Sequence, residues 1–162
     1  MSRVLIISAT AGNNLILAKK IGELLTHESE IINLEDFIMP LYIPNIQNNK
    51  NAVTASLEKK FLKSQGLIFC APEYNGGSPP ILTNSITWLS VTTNNWRDLF
   101  INKKALIATN SGGAGFRFLS TFRVQLEHLG VIVYPRTITV NKKKEFNDES
   151  ANNILKGFIE LL

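Results

Sequence analysis

Three short stretches hold most of the residues in this chain that could do chemistry. They are Ser8-Ala9-Thr10-Ala11-Gly12-Asn13-Asn14, Pro72-Glu73-Tyr74-Asn75-Gly76-Gly77-Ser78-Pro79-Pro80 and Asn110-Ser111-Gly112-Gly113-Ala114-Gly115-Phe116-Arg117. The first sets small hydroxyl and amide side chains with a glycine just ahead of a helical pattern. There they can offer backbone N–H groups and a positive dipole end to a phosphate, or simply cap the helix. The second is dense in turn formers. It can bring main-chain amides and carbonyls to the polar edge of a flat ring, with Tyr74 as apolar surface, or it is a plain turn with Tyr74 half buried. The glycines of the third let a ligand approach the backbone, or permit positive φ in an ordinary loop.

Residue identity removes several other chemistries. There is no Gly-x-Gly-x-x-Gly and no Gly-Lys followed by Ser or Thr, so neither a Rossmann dinucleotide grip nor a P-loop is present. A cysteine phosphatase would place an arginine at the position that Gly76 holds after Cys70, and a phosphoacceptor domain would end this strand in aspartate. Cys70 reads as a small buried hydrophobe. His27 and His128 have no cysteine or carboxylate at ligand spacing, so no metal site is expected, and both read as surface helix residues.

The elements that must position these stretches are legible as alternating periods. Val4 to Ile7, Glu30 to Leu34, Gly66 to Ala71, Lys104 to Thr109 and Val131 to Tyr134 are short apolar runs, the pattern of strands buried on both faces of a parallel sheet. Helical spacing relates Leu15, Ala18, Gly22 and Leu25; Val53, Leu57 and Phe61; Ile81, Ser85, Trp88 and Leu89; Leu119, Phe122, Leu126 and Leu129; and Ile154, Leu155, Phe158, Leu161 and Leu162. Pro79 and Pro80 sit at a helix start, and Gly130 fits a helix C′ position. Residues 40–50 read as a loop. The alternation predicts one α/β domain over residues 1–162, a flavodoxin-like three-layer sandwich around a five-stranded parallel sheet of order 2-1-3-4-5. Such sheets bind ligands at the carboxyl ends of their strands, where strand order reverses. The three stretches follow strands one, three and four, which that order sets side by side. Phosphate at the first and a planar heterocycle between the other two together describe flavin mononucleotide (FMN).

Composition agrees with a globular domain: 44% hydrophobic and 19% charged residues in 162. The charge of +4, from 17 Lys plus Arg against 13 Asp plus Glu, suits an anionic small ligand. Nucleic acid is not expected, because the longest basic run, Lys142-Lys143-Lys144, stands beside Glu145 without interleaved aromatics and reads as a solvated turn. No apolar run approaches the roughly 20 residues of a membrane span. A single cysteine and no signal-type start predict a cytoplasmic protein.

The sequence resembles the NAD(P)H-dependent FMN reductases, a family of small flavodoxin-like flavoproteins that includes chromate, quinone and azo-dye reductases. Pro72-Glu73-Tyr74-Asn75-Gly76, continuing through Pro79, Leu82, Asn84, Ile86 and Trp88, is similar to the family's signature and following helix. Asp36, Pro40, Leu41 and Tyr42 are similar to its loop after strand two, and Gly112, Gly113 and Arg117 to its glycine loop. The first loop departs: the family's Gly-Ser-x-Arg is replaced by a shorter segment without arginine, in part like the Thr-Gly-Asn-Thr loop of flavodoxins.

The resemblance implies FMN as cofactor and NAD(P)H as co-substrate, with hydride passing through the flavin to a quinone, free flavin or similar small acceptor. It implies no catalytic acid or base. Ser8, Thr10, Asn13, Asn14 and Leu15 would surround the ribityl phosphate. Pro72, Glu73, Tyr74, Asn75 and Gly76 would line one edge of the ring, and Ser111, Gly112 and Gly113 another. Arg117 would contact the dinucleotide phosphates or serve as a surface or interface residue, and Trp88 would face the pocket, an interface or the core. A homodimer or homotetramer is implied. Two other functions share the scaffold: a one-electron carrier of flavodoxin type, less suited to a basic chain, and a flavin-free relative acting through protein contacts.

Overall fold

The computed structural model describes residues 3–44 and 52–162. Five strands, β1 (Val4–Ser8), β2 (Ser29–Asn33), β3 (Gly66–Cys70), β4 (Lys104–Asn110) and β5 (Ile132–Val140), form one sheet of order β2-β1-β3-β4-β5. Every pairing is parallel, with Ile6 beside Ile31 and Ile68, and Phe69 beside Ile107. Among the described residues six α-helices connect or flank them: α1 (Asn13–Leu24), α2 (Ala52–Leu62), α3 (Pro80–Thr92), α4 (Arg97–Phe100), α5 (Phe116–His128) and α6 (Asp148–Ile159).

Strand alternation divides the core in two. Leu5, Ile7, Leu67, Phe69, Ala105 and Ile107 point to the face covered by α2, α3, α4 and α5, where Phe61, Trp88, Phe100, Phe118 and Phe122 pack. Val4, Ile6, Ile68, Cys70, Leu106 and Ala108 point to the other, covered by Leu17, Ala18 and Ile21 of α1 and Ile154, Leu155 and Phe158 of α6. A period of two in strands buried on both sides explains why β1 and β3 read as unbroken apolar runs.

Several expectations need adjusting. The buried face of α1 is Asn14, Leu17, Ala18 and Ile21 rather than the stripe through Leu15, Gly22 and Leu25. His27 lies in the connection to β2, because α1 ends at Leu24 and Leu25 is extended; His128 does sit in the last turn of α5. The loop expected over residues 40–50 is described only to Pro44, and the rest lies outside the described residues. Trp88 belongs to the core: it is 2% exposed, its indole donates to Pro40 O at 2.7 Å, and its ring meets Tyr42 edge-on. Asn84 completes that anchor, donating to Pro40 O at 3.0 Å and accepting from Tyr42 N–H at 2.9 Å. The segment after β2 is thereby tied to α3.

The largest departure is β5, which runs on past Tyr134 to Val140. Pro135 reads as a strand breaker because it lacks the N–H a ladder needs, but β5 is an edge strand and carries an irregularity there. Ala105 pairs with Val133 and Ile107 with Thr137, so extra β5 residues loop out of register. The carbonyls freed by this bulge find a donor: Arg123 of α5 donates to Val133 O, Tyr134 O and Pro135 O at 3.3, 2.9 and 3.3 Å. Beyond it the ladder resumes to Val140, opposite Asn110.

Among the described residues no helix is long and apolar enough to cross a membrane. Cys70 is fully buried in β3, and burial alone pushes its thiol far above the ordinary range. Native protein should therefore resist a water-soluble disulfide reagent at pH 8 and react stoichiometrically once unfolded; rapid native labelling would contradict the packing of β3. Replacing Arg123 by Met should cost about 1–3 kcal/mol, the scale of carbonyls left without a donor, read from urea unfolding. Amide exchange should accelerate first in residues 136–140.

Candidate functional site

An open cleft of about 430 Å³ lies at the carboxyl ends of the strands, lined by residues that follow all five of them. Thr10, Gly12, Asn13 and Asn14 come from the loop after β1, Pro72, Glu73 and Tyr74 from that after β3, and Asn110, Ser111 and Gly112 from the end of β4. Glu35 enters from the 3-10 turn after β2, and Lys142 from the turn after β5. The volume is in the range of small-molecule and cofactor sites.

The first loop is held open by its own bonding. Ser8 is fully buried and its hydroxyl donates to Thr10 O at 2.8 Å, so it shapes the turn from beneath. Ala11 N–H donates to Glu35 Oε1 at 3.0 Å, fastening the loop to the neighbouring 3-10 turn. Gly12 stands at the N-cap with no side-chain bond, and α1 has no acidic residue in its first turn. Its leading amides therefore lack the usual hydroxyl or carboxylate partner, and the positive end of the helix is left for a ligand. The capping role considered for the polar residues of this loop is absent.

Asn14 has a structural task. Its amide nitrogen donates to Asn110 O at 2.9 Å and its carbonyl accepts from Asn110 N–H at 2.8 Å. This two-bond clasp joins the start of α1 to the end of β4, beneath the cleft floor. Leu15 lies one residue further into the helix and is not part of the lining.

In the second loop, Tyr74 and Gly77 exchange N–H···O bonds of 3.0 and 2.9 Å around Asn75 and Gly76, whose φ values are +51° and +74°. Two successive left-handed residues are what a type I′ turn requires, and Asn-Gly is its favoured pair. Asn75 and Gly76 form the tip of this turn and do not line the cleft, whereas Tyr74, half exposed, presents its ring at the rim. The side chain of Arg117 covers Gly76: a Cβ there would lie 3.1 Å from its Cδ.

Glu73 couples the second loop to the third. Its N–H donates to Ser111 Oγ at 2.8 Å, and its Oε2 accepts from Phe118 N–H at 3.0 Å. Gly115, the N-cap of α5, has φ +66° and no side chain of its own to cap with, so a carboxylate from another loop takes that role. Gly115 is also the one glycine of its loop that the backbone demands; a Cβ there would meet Thr109 Cγ2 at 2.8 Å. Gly12, Gly112 and Gly113 differ, for a Cβ on any of them would meet nothing within 4 Å. They leave room at the cleft and its margin rather than permit a strained turn, although Gly113 itself lies outside the lining.

Among the described residues no cluster of His, Cys, Asp and Glu could hold a metal. The cleft instead offers an uncapped helix start, open glycine-flanked space, an aromatic rim and a cation, donors that fit a phosphorylated planar cofactor. The stretches after β1, β3 and β4 converge on the cleft; Gly12 and Asn110, members of those stretches, join the lining, and Glu35 and Lys142 enter it from outside them. An acidic residue closing β2, beside β1 in the sheet, was a usable signal for Glu35. For Lys142 the sequence carries none, because the apolar run that leads toward it ends at Tyr134. Glu73→Ala should lower stability by about 1–2 kcal/mol, as loss of a helix cap does, and accelerate exchange of the Phe118 amide. Glu73→Gln, which retains an acceptor, should recover most of both; an Ala variant indistinguishable from wild type would show the cap to be dispensable.

Comparison with known proteins places this geometry in context. No curated protein matches the sequence. Among solved structures, FerB, a flavoenzyme NAD(P)H:(acceptor) oxidoreductase from Paracoccus denitrificans, superposes with a TM-score of 0.82 at 17% identity, covering 99% of this chain and 97% of that one. An oxidoreductase from Corynebacterium diphtheriae gives 0.80 at 18% identity, with 99% and 94% covered. An archaeal flavodoxin gives 0.66 at 10%, with 99% and 96% covered. At such identities these likenesses show the flavodoxin-like fold. The family model described as NADPH-dependent FMN reductase matches residues 2–145. The chain therefore belongs to the NADPH-dependent FMN reductase family and is an NAD(P)H-dependent oxidoreductase that uses FMN.

Proposed function

We propose that this protein oxidises NAD(P)H and reduces a small planar acceptor, a quinone or free flavin, with donor and acceptor taking turns over one face of the cofactor. The observation that carries this reading is the cleft itself: Thr10, Asn13, Tyr74, Ser111 and Gly112 converge on one solvent-open space. Bound FMN supplies the hydride chemistry. The chain's own residues bind and orient. The loop after β1 would hold the phosphate end, and the turn at Asn75-Gly76 holds Tyr74 at the rim, where its ring would offer apolar surface to the flavin.

Neither carboxylate of the cleft is left to act as an acid or base. Glu73 is committed to the Phe118 amide and Glu35 to that of Ala11, which suits a reaction whose proton demands solvent can meet. Openness of the cleft favours exchangeable small acceptors over one tightly enclosed substrate. The same reading includes a homodimer, supported by Leu41, in the segment after β2, and Phe116, at the start of α5, apolar residues 74% and 73% exposed. The carrier alternative is disfavoured by the charge of +4.

FMN titration by flavin fluorescence, followed by NADH and NADPH oxidation with and without a quinone, tests the proposal. Saturable binding and two-electron turnover accelerated by the quinone are expected. Binding without pyridine-nucleotide oxidation would favour the carrier, and no binding at tens of micromolar FMN would leave a scaffold acting through protein contacts. Sedimentation velocity should show a dimer; a monomer at all concentrations would remove that part.

A further inference from the structure

The cleft holds an imbalance of charge that a phosphate makes acute. Its lining includes two carboxylates, Glu35 and Glu73, and one cation, Lys142. The loop after β1 contains no basic residue. A phosphate dianion brought to the start of α1 would find helix amides, with Glu35 nearby on the Ala11 amide. Amides and a helix dipole favour such an anion. Adjacent carboxylate charge opposes it, and the opposition is strongest at low salt.

Lys142 is placed to reverse that balance. Its turn follows β5 directly: Asn141 and Lys144 exchange bonds of 2.9 and 3.1 Å, and Asn141 Oδ1 accepts from Lys143 N–H at 2.8 Å. The turn is therefore ordered, with Lys142 and Lys143 at its tip. The three lysines have separate fates. Lys144 donates its ammonium to Thr139 Oγ1 at 2.7 Å, Lys143 does not line the cleft, and Lys142 does. Among the described residues the Lys142 ammonium has no hydrogen bond or ion pair. A cation on the wall of a cleft with two carboxylates, and without a protein partner, is available to a ligand's negative group.

We propose that Lys142 supplies the cationic contact to the 5′-phosphate of FMN, from the turn after β5, the loop after β1 having no cation of its own. The proposal rests on the flavin reading of the cleft. It makes phosphate recognition depend on β5 continuing past its bulge at Pro135, since a strand ending at Tyr134 would leave the turn elsewhere.

The test compares FMN with riboflavin, which shares the ring and ribityl chain but lacks the phosphate. Flavin-stripped wild type and the variants Lys142→Met, Lys142→Gln, Lys142→Arg and Lys143→Met are titrated by flavin fluorescence at low and high salt, with thermal unfolding as a check on folding. One charge-assisted hydrogen bond corresponds to a loss of roughly ten- to a hundredfold in FMN affinity for both neutral variants. Riboflavin affinity should stay unchanged, Lys142→Arg and Lys143→Met should remain near wild type, and the salt dependence of FMN binding should shrink in Lys142→Met. Unchanged FMN affinity in the neutral variants, or equal weakening of FMN and riboflavin, would overturn the role of Lys142 alone. A rise in the KM for NAD(P)H without a change in FMN affinity would assign the cation to the dinucleotide instead, and also overturn it. Wild type that binds neither flavin would remove the flavin reading and this inference together.

Discussion

The clasp between Asn14 and Asn110 is the interaction on which the site's geometry most depends. A parallel sheet ends in a row of strand termini whose amides and carbonyls have run out of ladder partners, and buried backbone groups must be paired. Asn14 answers for both polar groups of Asn110 at the end of β4, and it does so from the first turn of α1. The side chain imitates one more residue of strand pairing. Since the clasp joins the element that offers its amides to a phosphate with the strand that leads into the glycine loop, the distance across the cleft floor is set by two short bonds.

The same accounting governs the walls. Glu73 satisfies the start of α5 and donates its backbone N–H to the hydroxyl oxygen of Ser111, so the loops after β3 and β4 are one bonded unit. Ser8 and Glu35 satisfy Thr10 and Ala11 in the loop after β1. Acidic and hydroxyl groups that look reactive in a list of residues are thus spent on holding main chain in place. What remains for a ligand is mostly backbone, open space above glycines and a single ammonium. That division suits an enzyme whose redox chemistry is supplied by its cofactor.

Edge position decides the remaining wall. A proline inside β1 or β3 would remove a ladder bond on a strand paired on both sides. In β5 it falls on the outer strand, where a bulge accommodates it and Arg123 takes up the liberated carbonyls. The strand can then run on to Val140, which accepts from Ser111 N–H at 3.1 Å and sets the following turn against the cleft. A helix residue on the far side of the sheet's last crossover therefore helps position Lys142.

Local pattern in the sequence determined the alternation of strands and helices, and with it the parallel sheet, because burial on both faces forces unbroken apolar runs such as Val4-Leu5-Ile6-Ile7 and one apolar stripe per helix. It also determined the Asn75-Gly76 turn region and the convergence of three polar loops, since parallel order aligns the carboxyl ends of β1, β3 and β4. Tertiary structure decided which members of those loops face the ligand space. Ser8 is buried beneath its turn, Asn75 and Gly76 form a turn tip and Leu15 lies outside the lining, while Glu35 and Lys142 arrive from strands at opposite edges of the sheet. Facing depends on partners distant in sequence: Asn110 for Asn14, Phe118 for Glu73, and Arg123 for the bulge that carries β5 onward. A single stretch of residues does not contain those partners, and only the folded chain brings them together.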